Sequence, residues 1–167
     1  MIHDLKLLNE EFASPVRTRA RSLPNGFLVA ESRYPALRGR IVAWTLIRKL
    51  FESERLVCWS NNGERSTTGQ ACALCPSRPA CSRRLRLDLE EVHGERADGR
   101  DRLGALTLEL NFTSCRNFLA YALRLGRAHL DVPDLPARLT VVERGGWGEV
   151  CFLEAPDPVT VGEAEHA

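Results

Sequence analysis

The sequence predicts a mainly β domain with one helix (α+β), arranged as an OB-like five-stranded barrel that carries a cysteine-rich insertion. Leucines alternate with polar residues at 85–90 and again at 106–110, which is the two-residue period of half-buried strands. A single segment, 113–126, has apolar residues at helical spacing. Four of the six cysteines lie within 24 residues, between the first two expected strands.

The other three strands are expected from composition and from turn residues. Residues 40–50 are rich in β-branched and aromatic side chains. Residues 137–143 and 149–154 flank a glycine-rich turn that suits a hairpin. The helix is expected to begin at a cap on Thr113 or Ser114 and to end at a glycine. A helix between the third and fourth of five strands is the order of an OB-fold, in which the face of strands 2 and 3 and the loop between strands 1 and 2 bind oligonucleotides.

A chain of 167 residues fits one domain with short extensions. We expect an N-terminal extension over 1–25, the domain over 26–154 and an acidic disordered tail over 155–167. The tail contains prolines and acidic residues but no Lys or Arg, and it is a possible site for recruiting a protein partner. No apolar run approaches the ~20 residues that span a bilayer, and the first residues do not resemble a signal peptide. We therefore expect a cytoplasmic protein with no membrane partner.

The charges are distributed unevenly along the chain. The net charge is only +1, but residues 17–86 contain 14 basic and four acidic residues, a net of +10, and the rest of the chain carries −9. This asymmetry is typical of a nucleic-acid surface balanced by acidic segments elsewhere. A mixed, solvated surface that happens to be clustered is the alternative.

The cysteine segment, residues 58–81, has the spacing C-x13-C-x2-C-x5-C. Clustered cysteines without a secretory signal are typical of metal ligands rather than disulfides. Four thiolates suit tetrahedral Zn²⁺, which we favour, and a [4Fe–4S] cluster is the alternative because a proline follows the third cysteine. A disordered loop with incidental cysteines is the remaining possibility. The expected ligands of this metal knuckle are Cys58, Cys72, Cys75 and Cys81.

Parts of the cysteine segment resemble two known families. The run Val57-Cys58-Trp59-Ser60-Asn61-Asn62-Gly63, followed by Cys72-Ala73-Leu74-Cys75-Pro76 and Cys81, resembles the Cys-x-Ser-x-Asp-Gly and Cys-x-x-Cys-Pro signature of phage-type single-stranded DNA-binding proteins. That resemblance implies an OB-like fold with a metal-stabilised insertion, acting in DNA replication, recombination or repair. The stretch from Cys72 to Cys81 also resembles the C-x2-C-P-x4-C segment of WhiB-type regulators, which implies an iron–sulfur transcription regulator or redox sensor.

Binding a single strand requires cations for the phosphates and aromatic faces for the bases. Trp59 follows the first expected ligand, and arginines cluster on and just after the cysteine segment. The expected nucleic-acid contacts are Trp59, Arg65, Arg78, Arg83, Arg84, Arg86, Arg40 and Trp44.

Common catalytic motifs are absent from the sequence. It contains no P-loop, no Gly-x-Ser-x-Gly and no His-Glu-x-x-His, so we expect a protein that is not an enzyme. The expected partner is single-stranded DNA, and the sequence does not distinguish it from RNA. A protein-interaction adapter, which docks its basic segment on an acidic partner in a nucleoprotein complex, is the alternative function.

Overall fold

The structure is a computed structural model that describes residues 17–155. These residues form nine strands and one α-helix, together with 3₁₀ turns at Cys72–Leu74, Arg78–Ala80 and Val132–Asp134. The expectation of a mainly β domain with one helix is therefore confirmed. In chain order the elements are β1 (Thr18–Leu23), β2 (Gly26–Val29), β3 (Ser32–Tyr34), β4 (Ala36–Glu52), β5 (Arg55–Ser60), β6 (Ser82–Arg96), β7 (Gly99–Leu110), α1 (Phe112–Arg127), β8 (Ala137–Arg144) and β9 (Trp147–Glu154).

All nine strands belong to one mixed sheet. Its order is β3-β2-β1-β7-β6-β4-β8-β9, and β5 pairs with the C-terminal part of β4. Only β1 and β7 run parallel among the pairs within residues 17–155. The five strands expected from the sequence correspond to β4, β6, β7, β8 and β9, and they are neighbours in the sheet.

Alternation of side chains gives the sheet two different faces. Leu87 and Leu89 of β6 and Leu106 and Leu108 of β7 are fully buried, whereas the residues between them are polar and partly exposed. Successive side chains of a strand point to opposite sides, so the leucines define a core face and the polar residues an outer face.

Strands that are far apart in the sheet order contribute to one core, which shows that the sheet is strongly curled. Phe27 of β2 and Phe152 of β9 belong to the same buried cluster as the central leucines. A Cβ placed on Gly148 of β9 would lie 2.2 Å from the carbonyl oxygen of Leu23 in β1, so these two strands touch without pairing. Glycine permits this close approach of two backbones.

The helix packs against the open part of this core. Phe118 lies with its ring 5.5 Å from that of Phe152 and 5.6 Å from that of Trp44, and Tyr121 and Leu125 are also buried. Aromatic pairs at these edge-on separations add to the stabilisation that burial supplies.

The structure departs from the expected barrel in its closure. The sheet has nine strands instead of five and is not closed, because β3 and β9, at the two ends of the strand order, do not pair with each other. The five-stranded OB-like barrel is therefore not confirmed. Residues 18–23, which fall within the expected N-terminal extension, form a strand of the same sheet. Residues 1–16 and 156–167, including almost all of the expected acidic tail, lie outside the described residues.

The helix begins two residues before the expected caps. The N-cap is Asn111, whose side-chain oxygen accepts a hydrogen bond of 2.9 Å from the backbone N–H of Ser114. Ser114 is buried instead, and its hydroxyl accepts from the backbone N–H of Val150 in β9. The expectation of a cap at Thr113 or Ser114 is wrong because Ser114 ties the helix to the sheet.

The contact between β1 and β9 leads to a first prediction. Gly148→Ala should destabilise the domain by about 1–3 kcal/mol, because the added methyl group meets a backbone atom that cannot move independently. Gly126→Ala is the matched control: no atom lies within 4 Å of the added Cβ, and alanine should stabilise this helix by about 0.5–1 kcal/mol. Urea unfolding measures both. Equal stability of the Gly148→Ala variant and the wild type would contradict the close approach.

Candidate functional site

The cysteine segment folds back on the hairpin of β4 and β5. After β5, the side-chain oxygen of Asn62 accepts hydrogen bonds from the backbone N–H groups of Glu64 and Arg65 at 2.9 and 3.1 Å. Asn62 thus supplies the acceptor oxygen that holds this turn. The backbone N–H of Cys72 then donates to the carbonyl of Glu64 at 2.7 Å, which returns the chain toward β5.

Two short turns position the last three cysteines. The backbone N–H of Cys75 bonds to the carbonyl of Cys72, and that of Cys81 bonds to the carbonyl of Arg78. Each bond closes a 3₁₀ turn, which is a tight way to bring side chains three residues apart to one side.

All four expected ligands line one small cavity. Its volume is about 20 Å³, and its walls also include Arg48 and Arg78. Burial raises the pKa of the Cys81 thiol, and the neighbouring thiols of Cys75 and Cys58 raise it further. Thiols that influence one another in this way are close enough to repel when ionised, and a bound cation would relieve that repulsion.

The four thiols are side chains of the kind that bind metals, but they are not arranged around a common point as metal ligands are. Among residues 17–155, no group of three or more His, Cys, Asp or Glu side chains stands in an arrangement that could hold a metal ion. A second observation bears on the fit. Arg48, only 7% exposed, lines the cysteine cavity, and its Nε has no hydrogen-bond partner in the described chain. Four thiolates around a divalent cation carry a net negative charge, which this guanidinium would balance, so the chemistry of the side chains fits a metal while the arrangement of the four sulfurs does not.

Strand register separates the expected nucleic-acid contacts between the two faces. Arg83 pairs directly with Arg48, beside the cysteine cavity, and Trp44 pairs with the buried Leu87, so both lie on the core face. Arg84 pairs with Ile47 on the outer face. Successive side chains of a strand point to opposite sides, so the structure places the expected contacts Arg83 and Arg84 on different faces of the sheet.

The outer face combines aromatic and basic side chains beside the cysteine segment. Trp59 pairs with Lys49 in the β4–β5 hairpin and is 40% exposed, and Phe51 is 44% exposed. The guanidinium of Arg84 lies 6.0 Å from the centre of the Phe51 ring, within the range of a cation–π contact. Arg86 is the next outer-face residue along β6. We call Lys49, Phe51, Trp59, Arg84 and Arg86 the aromatic–basic surface.

The arginines of this surface are incompletely satisfied. The Nε atoms of both Arg84 and Arg86 are buried and have no hydrogen-bond partner within residues 17–155. The nearest carboxylate to Arg86 is that of Asp88, at 3.8 Å, which is an ion pair without a hydrogen bond. No carboxylate within residues 17–155 therefore accepts a hydrogen bond from either of these guanidinium groups, and their positive charge stays incompletely compensated.

Three further expected contacts lie elsewhere. Arg65 donates to the carbonyl of Gly69 within its own loop, and Arg78 lines the cysteine cavity. Arg40 lies at the opposite end of β4, where its Nε donates to the Glu91 carboxylate and a terminal nitrogen donates to backbone carbonyls at Pro133 and Asp134. The structure does not bring these arginines to the aromatic–basic surface.

The outer face is far more basic than the +1 net charge suggests. On β1, β4, β6, β7 and the residue before β1, its ten cations exceed its five carboxylates. The cations are Arg17, Arg19, Arg21, Arg38, Arg40, Lys49, Arg84, Arg86, Arg100 and Arg102, and the carboxylates are those of Asp88, Glu90, Glu91, Glu95 and Glu109.

Each of those five carboxylates is paired with a cation of the protein. Glu109 bonds to Lys49 and lies 3.3 Å from Arg19, and Glu90 bonds to Arg17 at 2.9 Å. Glu91 and Glu95 pair with Arg40 and Arg138. The uncompensated charge on this face is therefore positive.

Sequence reasoning missed most of these outer-face residues, although the sequence contains a signal for them. Arginines recur every second residue at 17–21, 38–40, 84–86 and 100–102. This spacing places each group on one face of its strand.

Comparison of the chain with protein-family models, curated proteins and solved structures finds no match. Within the described residues, no helix has the length and apolar character needed to cross a membrane.

The cysteine cavity yields a prediction about thiol ionisation. In metal-free protein, Cys75→Ser should lower the pKa of Cys81, because it removes a neighbouring thiol that raises it, while the contribution of burial remains. The pH dependence of Cys81 alkylation, followed by mass spectrometry, measures the change. Cys151→Ser, which lies outside the cavity, should leave it unaltered. An unchanged midpoint in Cys75→Ser would contradict the proximity of the thiols.

Proposed function

We propose that this protein binds single-stranded nucleic acid, DNA in the first instance, without catalysing a reaction, and serves DNA replication, recombination or repair. The proposed contact surface is the outer face of the sheet beside the cysteine segment, and the proposed setting is the reducing cytoplasm, where free thiols persist. The resemblance of the cysteine segment to phage-type single-stranded DNA-binding proteins supports the same proposal.

One observation carries this proposal: two exposed aromatic side chains and two arginines with buried, unpartnered Nε atoms share one sheet face. Trp59 and Phe51 present flat surfaces on which bases stack, each worth ~1–3 kcal/mol. Arg84 and Arg86 provide charge for the backbone phosphates. Stacking of this kind requires unpaired bases, which favours a single strand over a duplex.

The order of the central elements supports an OB-like assignment as part of the proposal. Three strands that are antiparallel neighbours in the sheet, β4, β6 and β7, are followed along the chain by α1 and the β8–β9 hairpin. The OB-fold is a partly open barrel whose second and third strands present the oligonucleotide-binding face. The corresponding strands here are β6 and β7, and their outer face carries Arg84, Arg86, Arg100 and Arg102.

We further propose that Cys58, Cys72, Cys75 and Cys81 bind one structural Zn²⁺. Thiolates are the ligands of closed zinc sites, and the cation would draw the four sulfurs of the cavity together. Such a site would hold the β4–β5 hairpin against β6, which keeps Trp59 and Phe51 in place beside Arg84.

Binding should depend on the outer-face arginines and not on positive charge in general. The double variant Arg84→Ala/Arg86→Ala should weaken binding of a poly-dT oligonucleotide and flatten its salt dependence by about 1.4 in log–log slope, at ~0.7 per phosphate contact for two contacts. The control is Arg116→Ala/Arg127→Ala on the exposed side of α1. Fluorescence anisotropy across a salt series measures both.

Equal effects of the two double variants would show a diffuse electrostatic attraction and contradict the proposed surface. Failure of the wild-type protein to bind any single strand at low salt would overturn the proposed function. Tighter binding to a ribo-oligonucleotide than to its DNA counterpart would redirect the proposal to RNA, because only the 2′-hydroxyl distinguishes the two.

The metal site predicts a separate set of results. Protein purified without oxygen should contain one zinc per chain, and Cys72→Ser should lose it and unfold at a lower temperature, because metal binding contributes directly to folding. Cys151→Ser should retain the metal, since this cysteine is outside the cavity. Metal analysis and thermal unfolding provide the measurements. Brown protein containing iron would replace zinc with a [4Fe–4S] cluster, and metal-free wild type would contradict the site.

A further inference from the structure

A second basic site lies on the outer face, at the end of the sheet opposite the cysteine segment. It is a cavity of about 300 Å³, which we call the arginine cavity, lined by Arg38, Gly39, Arg40, Glu91, His93, Arg102 and Pro136. A neighbouring cavity of about 450 Å³ shares Arg38 and adds Arg100 and Arg138. None of the sequence patterns that indicated the cysteine segment indicates this site.

Irregularities in the strands form the arginine cavity. The pairing of β4 with β6 shifts between Arg38 and Arg40, and the pairing of β6 with β7 shifts around Val92. Glu91 has a positive φ of 52° at the same place, which is a typical bulge conformation. Bulges bend a strand and redirect its side chains, and they are common beside binding sites.

The wall of the arginine cavity is held by internal contacts. Arg40 donates to Glu91 at 3.2 Å and to the carbonyl oxygens of Pro133 and Asp134 at 3.2 and 3.1 Å, so it joins three segments of chain. The ring Nδ1 of His93 lies 3.1 Å from the carbonyl oxygen of Glu91. These contacts occupy the acidic group of the cavity before any ligand enters.

Two arginines at this end have no hydrogen-bond or ion-pair partner among the described residues. Arg100 and Arg102 are exposed, and neither makes a hydrogen bond or an ion pair with any residue from 17 to 155. The carboxylates beside them are already engaged, Glu91 with Arg40 and Glu95 with Arg138 at 2.8 Å. The site therefore has an excess of guanidinium groups, which match phosphate oxygens in geometry as well as charge.

We propose that the arginine cavity is a second phosphate-binding site for the same nucleic-acid strand, with Arg100 and Arg102 contacting the backbone and no base stacking. This inference rests on the proposed function, because it assigns a path to the bound strand. In the register of β7 with β6, Arg100 lies opposite Glu95 and Arg102 lies opposite His93. These positions are on the outer face of the sheet, which is also the face of Arg84 and Arg86. A strand anchored on Trp59 would thus run along β6 and β7 to the cavity.

The separation of the two sites sets a minimum length for the ligand. His93 is seven positions along β6 from Arg86 and nine positions from Arg84, a distance of roughly 23–30 Å at ~3.3 Å per residue. At ~3.4 Å per stacked nucleotide this corresponds to roughly seven to nine nucleotides. A tetranucleotide can therefore occupy only one site, whereas a dodecanucleotide can reach both.

The test compares dT4 and dT12 on the full chain at low salt. Arg100→Ala/Arg102→Ala should lower the affinity for dT12 by about tenfold or more and flatten its salt dependence by about 1.4 in log–log slope, while the affinity for dT4 changes less than about twofold. Arg84→Ala/Arg86→Ala should weaken the binding of both oligonucleotides, because dT4 is expected to bind at the aromatic–basic surface. Arg116→Ala/Arg127→Ala is the control for net charge, and thermal unfolding confirms that each variant is folded.

The outcomes separate this inference from the proposed function. Unchanged dT12 affinity in Arg100→Ala/Arg102→Ala, with normal binding by the wild type, would overturn the second site and leave the function intact. Equal losses of affinity for dT4 and dT12 would also overturn it, because a general electrostatic attraction does not require an oligonucleotide long enough to contact both sites. Failure of the wild type to bind either oligonucleotide would overturn the function itself.

Discussion

The two-residue period of extended backbone is the constraint on which the rest of this structure depends. In β6 and β7, leucines at every second position build the core, and the residues between them form the outer face. A shift of one residue in the register would bury arginines and expose leucines, so the core that stabilises the fold also fixes where the charge lies. The proposed binding surface needs no separate element, because it is the reverse side of the strands that form the core.

Internal pairing then decides which charges remain for a ligand. The carboxylates of the outer face are bound to Lys49, Arg17, Arg40 and other cations. Two arginines without a hydrogen-bond or ion-pair partner among residues 17–155 lie toward the two ends of this face, Arg84 beside an aromatic ring and Arg102 in a cavity shaped by bulges. Near-neutrality of the whole chain is therefore compatible with a strongly basic face. A bound strand would meet stacking and charge at one end and charge alone at the other.

The sequence predicted the central strands, the helix and the cysteine cluster because each has a strong local pattern. It did not predict that Arg83 and Arg84 lie on opposite faces, since both residues precede the strand expected at 85–90, whereas the observed strand β6 begins at Ser82. The distance of Arg40 from the cysteine segment follows from the length of β4 and from its pairing with β6, which the sequence does not show. The strand β1 was missed because its residues are mostly polar, and its alternating arginines are meaningful only once the sheet is known. Bulges and the curl depend on contacts between distant segments, which local patterns do not contain.

Arginine modification with and without a bound oligonucleotide is a direct test of whether single-stranded DNA binds to one face of the sheet. The protein would be treated with an arginine-specific dicarbonyl reagent with and without dT12, and modified residues would be quantified by mass spectrometry. We expect dT12 to protect Arg84, Arg86, Arg100 and Arg102 from modification. The modification of Arg116 and Arg127 on the helix should be unchanged. Protection of the helix arginines, or equal protection of all six, would contradict it.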